Sequence, residues 1–253
     1  MLKDFPRGIR RALQSSIRAL IAGLKNQANR AMKRRGKYAF IAQLQPHAQL
    51  LDVGCGNDSP ARFKSLRPDC RYIGIDVGNY RQSARPTDYA DEYVLVDPAG
   101  FAAAIRGYEG QLDSVLSSHN IEHCDAPHEV MEAMLACLKP GGRLYLSFPC
   151  EESVHFPKRR GHLNFFDDPT HKAVPDWEGT MSALQQAGMR IHYCAKRYRP
   201  LLLAALGVLL EPWSALIGRN GIVGSTWSLY GFESVIWASK PQHTAASGGN
   251  DRD

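Results

Sequence analysis

The sequence predicts an α/β fold: a doubly wound, seven-stranded, mostly parallel sheet. Three observations carry this. Short apolar runs of strand length alternate with helix-length segments between about residues 49 and 240. The first of these runs ends in closely spaced glycines, where a strand can turn sharply into a helix. A chain of 253 residues can bury one such core and carry extensions.

The elements follow in order. "QLLDV" (49–53) reads as a first buried strand, "YIGIDV" (72–77) as a second, "EYVLVD" (92–97) as a third and "LDSVLSS" (112–118) as a fourth. "PHEVMEAMLACL" (127–138) reads as a helix that Lys139-Pro140-Gly141-Gly142 ends, because proline and paired glycines cannot continue it. "RLYLSFP" (143–149) is the fifth strand, and a long polar loop runs to about residue 176. The helix "WEGTMSALQQAG", a sixth strand "RIHYCAK" and a seventh "GFESVIWASK" complete the sheet.

Two segments exceed this plan. Residues 1–40 form a basic N-terminal extension with eleven Lys or Arg against a single acid, Asp4. Within it, Ile9, Leu13, Ile17, Leu20, Ile21 and Leu24 share one helical face. Three readings stay open: a capping helix with a solvated basic side, a helix lying on an anionic membrane surface through residues 1–37, or an organellar transit peptide. The domain proper spans 41–240. Within it, 201–218 begins with ten consecutive apolar or glycine residues, too few to span a bilayer but suited to a buried core helix, a homodimer helix or a membrane-dipping segment. Residues 241–253 are an expected disordered tail.

The net charge of +6 sits in that N-terminal extension, which disfavours a nucleic-acid partner for the folded domain. Six scattered cysteines without a C-x-x-C pair read as reduced thiols of a cytoplasmic protein. There is no P-loop and no G-x-S-x-G.

"LLDVGCGND" (50–58) places an acid two residues before its first glycine and has Ser59 where the dinucleotide fingerprint needs a third. A carboxylate there suits a ligand with a cationic amino group. With "IGIDVG", "VLVDPAG", "LDSVLSSHNIEHCDAP" and "LKPGGRLYLSFP" following in order, residues 45–195 resemble the class I S-adenosylmethionine-dependent methyltransferases, in particular the branch serving bacterial surface-glycan and lipid-linked sugar biosynthesis. The resemblance implies a Rossmann-like fold and S-adenosylmethionine as cofactor. It implies that Asp52, Gly54, Cys55 and Gly56 surround the methionine end. Asp76 and Val77 would meet the ribose, Asp97 the adenine amino group, and Ser118 the fourth-strand edge. Asp58 departs from the family, many of whose members carry glycine there.

Methyl transfer to a hydroxyl needs alignment of the acceptor and removal of its proton. His119, which directly follows the fourth strand, is the first candidate base, with His123 and His162 as further catalytic candidates. "GHLNFF" in the 150–176 loop resembles a loop of polysaccharide and lipid-linked glycan methyltransferases. His155, His162, Asn164, Asp167, Asp168 and His171 are of the type that hydrogen-bonds sugars, and Lys158, Arg159 and Arg160 of the type that holds a phosphate. The N-P-P-[YF] tetrad of amino-methylating nucleic-acid enzymes is absent, which favours an oxygen acceptor. The expected function is O-methylation of a sugar or lipid-linked glycan at the cytoplasmic face of the inner membrane. Quinone or natural-product methylation and a cofactor-binding protein without turnover are the alternatives.

One motif points elsewhere. His119, Glu122 and His123 spell H-x-x-E-H, the signature of the inverted zinc metalloproteases. Those histidines must share one face of a continuous helix, whereas His119 is expected at a strand exit, and the sequence identifies no third ligand. The expectation is therefore no metal, and a Glu122-His123 pair that opens the next helix.

Overall fold

A computed structural model describes residues 31–242. The amphipathic stretch 9–24 and most of the 241–253 tail lie outside these residues. Seven strands form one sheet in the order β3-β2-β1-β4-β5-β7-β6, all parallel except β7, which runs antiparallel to both neighbours. The predicted doubly wound, mostly parallel architecture is therefore the observed one.

The strands are β1 (Gln49–Val53), β2 (Arg71–Asp76), β3 (Glu92–Leu95), β4 (Leu112–Ser118), β5 (Leu138–Pro149), β6 (Arg190–Ala195) and β7 (Glu233–Ser239). The helices are α1 (Lys37–Ala42), α2 (Ser59–Leu66), α3 (Phe101–Arg106), α4 (Pro127–Cys137), α5 (Trp177–Gln186), α6 (Leu201–Leu216) and α7 (Ser225–Tyr230). Because side chains alternate across a strand, the apolar runs feed both faces. Leu51, Val53, Ile73, Val115 and Leu144 face one core with α3, α4 and α5. Leu50, Tyr72, Leu116, Tyr145 and Trp237 face the other with α1 and α2. The sheet grows outward in opposite directions from β1 and β4, so their carboxyl ends flank a topological switch point, where such sheets open a ligand crevice.

The structure redraws three expectations. The helix before β5 ends at Cys137 as predicted. Residues 138–142, however, join the strand through an irregular register against β4, with Gly141 at φ +81°. The boundary at residue 40 cuts through α1. Phe40 is wholly buried against the Tyr145 and Trp237 rings, at 5.6 and 5.4 Å between centroids, and the Trp237 indole donates to the Arg35 carbonyl. The domain therefore begins upstream of residue 35, and the 31–37 part of the basic segment belongs to the fold. Finally, the 201–218 insertion is not a buried helix among the described residues. Only Leu203, Gly207 and Ser214 of α6 are buried, while Leu201 is 86% and Leu209 78% exposed. Gly207 marks where α6 crosses α7, since a Cβ there would lie 2.5 Å from the Ser225 carbonyl.

Candidate active site

The first wall of the crevice is the loop between β1 and α2. Gly54 takes φ +78°, and a Cβ on it would sit 2.5 Å from Asn120 Oδ1. Both facts demand glycine. Asn57 and Asp58 also occupy the left-handed region, each at φ 57°. Asp58 makes this turn without a glycine and pins it with its side chain. Its carboxylate accepts from the Ser83 N–H (2.5 Å) and the Ser83 hydroxyl (2.9 Å).

Asp52 is buried, and one of its oxygens accepts from the Ser59 hydroxyl and, at 2.8 Å, from the Tyr72 hydroxyl. Burial pushes its carboxyl pKa up, against the opposing pull of Lys37 and these two donors. With two internal donors, Asp52 fastens the glycine loop to α2 and β2. Cys55 borders the loop through its backbone. Its side chain is wholly buried and its sulfur faces Gly74 rather than the crevice, while its carbonyl accepts from Gln82.

The second wall is the end of β2. Asp76 is 5% exposed, and its Oδ1 accepts from the Val77 N–H at 2.7 Å. Gly56 faces its other oxygen: a Cβ there would lie 3.9 Å from Oδ2. Burial, partly countered by backbone N–H groups, raises its pKa to about 6. A carboxylate with one oxygen anchored and the other facing a glycine is suited to accept from a diol. Val77 beyond it is exposed. Asp97 lies exposed after β3, with its carbonyl accepting from Gly100.

The third wall is the exit of β4. Ser118 pairs its hydroxyl with Ser147 at 3.0 Å. His119 then takes φ +54°, an uncommon conformation for a residue other than glycine, and this kink turns Asn120 over Gly54. Neither Asn120 nor Glu233 stands out in the sequence.

His119, the first candidate base, is engaged at both ring nitrogens. Its Nδ1 lies 3.2 Å from Glu122 Oε1 and its Nε2 3.2 Å from Glu233 Oε1. Burial works against charging the ring, but the two carboxylates outweigh it and lift the pKa to about 9. Both ring nitrogens are thus engaged by carboxylates. Glu233, itself held well below the carboxylate range by Lys33 (2.7 Å) and His119 against the opposing effect of burial, extends this chain of charges to the N-terminal segment.

Glu122 and His123 do not open α4. They lie in a 3-10 turn (Ile121–His123), and the helix starts at Pro127. The loop above them has a framework of its own. Asp167 Oδ2 accepts from the backbone N–H groups of Arg159 (3.1 Å), Leu163 (3.0 Å) and Asn164 (2.9 Å). Asn164, 4% exposed, donates to the Val154 and Phe156 carbonyls. Arg159 forms a two-pronged pair with Glu211 of α6, at 2.9 and 2.6 Å. These three residues hold the loop together and are not free for a sugar or phosphate. Lys158, Arg160 and His162 border a cavity of about 580 Å³ that opens beside Gly218, just past the end of α6. His162 meets the rest of the site through its carbonyl, which accepts from the Trp227 indole, while the Trp227 ring packs on His119 at 5.3 Å. His171, absent from the catalytic candidates, is brought beside His123, their ring centroids 4.8 Å apart.

A family described as "Methyltransferase domain" matches residues 24–196 of this chain. The malonyl-[acyl-carrier protein] O-methyltransferase of Enterobacter lignolyticus is 26% identical over 148 residues, covering 57% of this chain and 56% of that protein. The ubiquinone biosynthesis O-methyltransferase of Pseudomonas aeruginosa is 30% identical over 101 residues, covering 39% and 43% respectively. The chain thus spans about half the length of these relatives or less. Among solved structures, phosphoethanolamine N-methyltransferase 2 of Haemonchus contortus, bound to S-adenosyl-L-methionine, superposes with a TM-score of 0.55 at 15% identity, over 85% of this chain and 53% of that one. At that identity the likeness concerns the fold.

Proposed function

Because the chain belongs to the methyltransferase-domain family, we propose that it transfers the methyl group of S-adenosylmethionine to a hydroxyl of a sugar or lipid-linked glycan, at the cytoplasmic face of a membrane. The observation that carries this reading is the crevice at the β1–β4 switch point. It sets a glycine loop open to close backbone approach beside a buried carboxylate, Asp76, with one oxygen facing Gly56.

Methyl transfer is a displacement at carbon. The acceptor oxygen forms a bond to the methyl carbon, the carbon–sulfur electron pair leaves with the sulfur, and the hydroxyl proton passes to solvent water. The chain's task is to hold donor and acceptor in line and to exclude water. Asp76 accepts from the ribose hydroxyls, the Gly54–Gly56 backbone lies along the methionine portion, and Asn120 closes that loop from above. The His119 ring ties the β4 exit to β7 through Glu122 and Glu233, and so fixes the floor on which the acceptor sits.

Support for an oxygen acceptor comes from the residues after β4, where Ser117-Ser118-His119-Asn120 stand in place of the tetrad of amino-methylating nucleic-acid enzymes; among the matched relatives are O-methyltransferases and sterol 24-C-methyltransferases by name. Support for a lipid-linked, anionic acceptor comes from the juxtaposition of two surfaces. Lys158 and Arg160 line a cavity at the end of α6, and α6 exposes Leu202, Leu209, Trp213 and Leu216. An isoprenoid or acyl chain fits the second surface and a phosphate the first. No described helix is long and apolar enough to cross a membrane. The exposed apolar face of α6 is what supports reading it as lying on a membrane surface. A quinone is the second reading, because the same apolar face suits a prenyl tail.

The test is incubation of purified protein and methyl-labelled S-adenosylmethionine with lipid extracts from cells lacking the gene. Label in the glycolipid fraction, with a mass gain of one methylene, is the expected result. Label confined to quinones would replace the acceptor. No label in any fraction, with the cofactor bound, would remove the transferase assignment.

A further inference from the structure

The H-x-x-E-H stretch acquires a different meaning in three dimensions. We propose that Glu122, His123 and His171 form a binding site for a divalent transition-metal ion of the zinc class, beside the crevice at the exit of β4. One ligand atom from each of the three residues lies within 4.8 Å of the other two, the only such triad of metal-capable side chains among the described residues.

Glu122 supplies the first independent argument. Its side chain is wholly buried, and Oε1 faces His119. Oε2 is buried without any hydrogen-bond partner. A buried carboxylate oxygen left bare is expensive, and native structures rarely leave one so. A cation removes that penalty.

The histidines supply the second. His171 Nδ1 lies 2.6 Å from the Phe165 carbonyl, which can only accept, so Nδ1 carries the proton and Nε2 keeps its lone pair. His123 Nδ1 likewise faces the Thr170 carbonyl at 3.2 Å, with the Thr170 hydroxyl at 3.0 Å. Metal-binding histidines have this arrangement: one nitrogen is pinned to a backbone carbonyl and the other left free to coordinate. The two segments are also clamped together. The Lys172 N–H donates to the Glu122 carbonyl at 2.8 Å, and Lys172 Nζ pairs with Asp125 at 2.6 Å.

Two imidazoles and one carboxylate suit zinc and its first-row neighbours, and leave coordination positions open; magnesium and calcium prefer all-oxygen sets. Zinc–ligand bonds of about 2.0–2.1 Å place tetrahedral ligands roughly 3.4 Å apart, so binding draws the side chains inward by about an ångström. The two imidazoles are only half-buried and can rotate to follow. His119 stays outside the set, because both of its nitrogens are taken by Glu122 Oε1 and Glu233. The metalloprotease signature therefore contributes two ligands, and the third arrives from the loop 48 residues further along the chain.

The chemical use of the site rests on the methyltransferase reading. An acceptor hydroxyl in an open position of the ion is acidified, and its proton passes to solvent water. The resulting alkoxide bonds to the methyl carbon, the carbon–sulfur pair stays on sulfur, and the products are a methyl ether and S-adenosylhomocysteine. This gives the transferase an activated oxygen while both nitrogens of His119 stay engaged by Glu122 and Glu233.

Cobalt(II) is the probe. The full chain, stripped of metal, is titrated with Co²⁺ and followed by visible absorption, while calorimetry with S-adenosylmethionine and circular dichroism report on the fold. One equivalent of Co²⁺ with ligand-field bands is expected. His171→Ala and Glu122→Gln should each weaken it by at least the ~10–100-fold that losing a ligand's supporting hydrogen bond costs. His192→Ala, on the far edge strand, should leave it unchanged. If Glu122→Gln fails to fold, the half-buried His171 and His123 variants decide. Stoichiometric binding that survives both histidine substitutions would overturn the site, as would a folded, cofactor-binding chain that takes up no Co²⁺. A chain that binds Co²⁺ but no S-adenosylmethionine would overturn the methyltransferase reading and leave the metal site standing.

Discussion

The two sides of the crevice are built differently. On the β1–β2 side, partners are near in sequence. Asp52 receives Ser59 and Tyr72, Asp58 receives Ser83, and Asp76 receives its neighbour Val77. On the acceptor side the decisive contacts span the chain: His119 to Glu233, Lys33 to Glu233, Lys172 to Glu122 and Arg159 to Glu211. The first side is a local motif that the sheet merely displays. The second exists only once β7, α6 and the 150–172 loop have come together, so its specificity can change while the cofactor half stays as it is.

That contrast can be broken at four places. The largest effect is expected for Gly54→Ala, which places a Cβ against Asn120 at a left-handed φ. A loss of about 3 kcal/mol in urea unfolding, with weakened cofactor binding, is expected. Unchanged stability would mean that the loop does not need this glycine. Next is Asn164→Ala, which removes two donors to partly buried carbonyls and a turn cap. About 2 kcal/mol of stability should go. Affinity for S-adenosylmethionine should stay within a factor of two or so of wild type if the halves are independent, and a parallel loss of affinity would join them. A smaller loss, about 1–2 kcal/mol, is expected for Arg159→Ala, which frees Glu211 at a partly exposed pair. It should also raise the protease sensitivity of the 150–172 loop. Least of all, Leu202→Ser with Leu209→Ser on the exposed face of α6 should change stability by no more than about 0.5 kcal/mol. Flotation with anionic liposomes should nevertheless fall, and a large destabilisation would show that this face is covered.

The same contrast explains what the sequence could reveal. The strands, the helix from Pro127 and the acids Asp52 and Asp76 are written in local periodicity and in strand-end chemistry, so pattern alone places them. What each side chain does depends on its neighbours in space. Asp52 turned out to fasten the loop and Cys55 to fill the core, because Tyr72 and Gly74 stand across from them on β2. His119 reads as a candidate base at a strand exit, and the carboxylate that engages its Nε2 is invisible there, since Glu233 lies 114 positions away and carries no motif. Asn164 and Asp167 look like sugar ligands in a polar loop, and only their backbone partners show them to be its frame. The apolar run of α6 suits a core helix, a homodimer helix or a membrane-dipping segment by hydropathy alone, whereas its exposure is decided by the packing of α7 against one stripe.

The central claim is that Asp76 at the end of β2 holds the cofactor, and calorimetric titration with S-adenosylmethionine tests it most directly. Burial lifts the Asp76 pKa to about 6, and the ribose hydroxyls need the ionised carboxylate. Affinity should therefore be full above about pH 6 and fall as the pH drops through that value, by about tenfold one unit below it. Asp76→Asn should bind more weakly and lose this dependence, with one site per chain for the wild type. Wild-type binding that ignores pH across this range, or an Asn variant that binds as tightly as the wild type, would contradict the account.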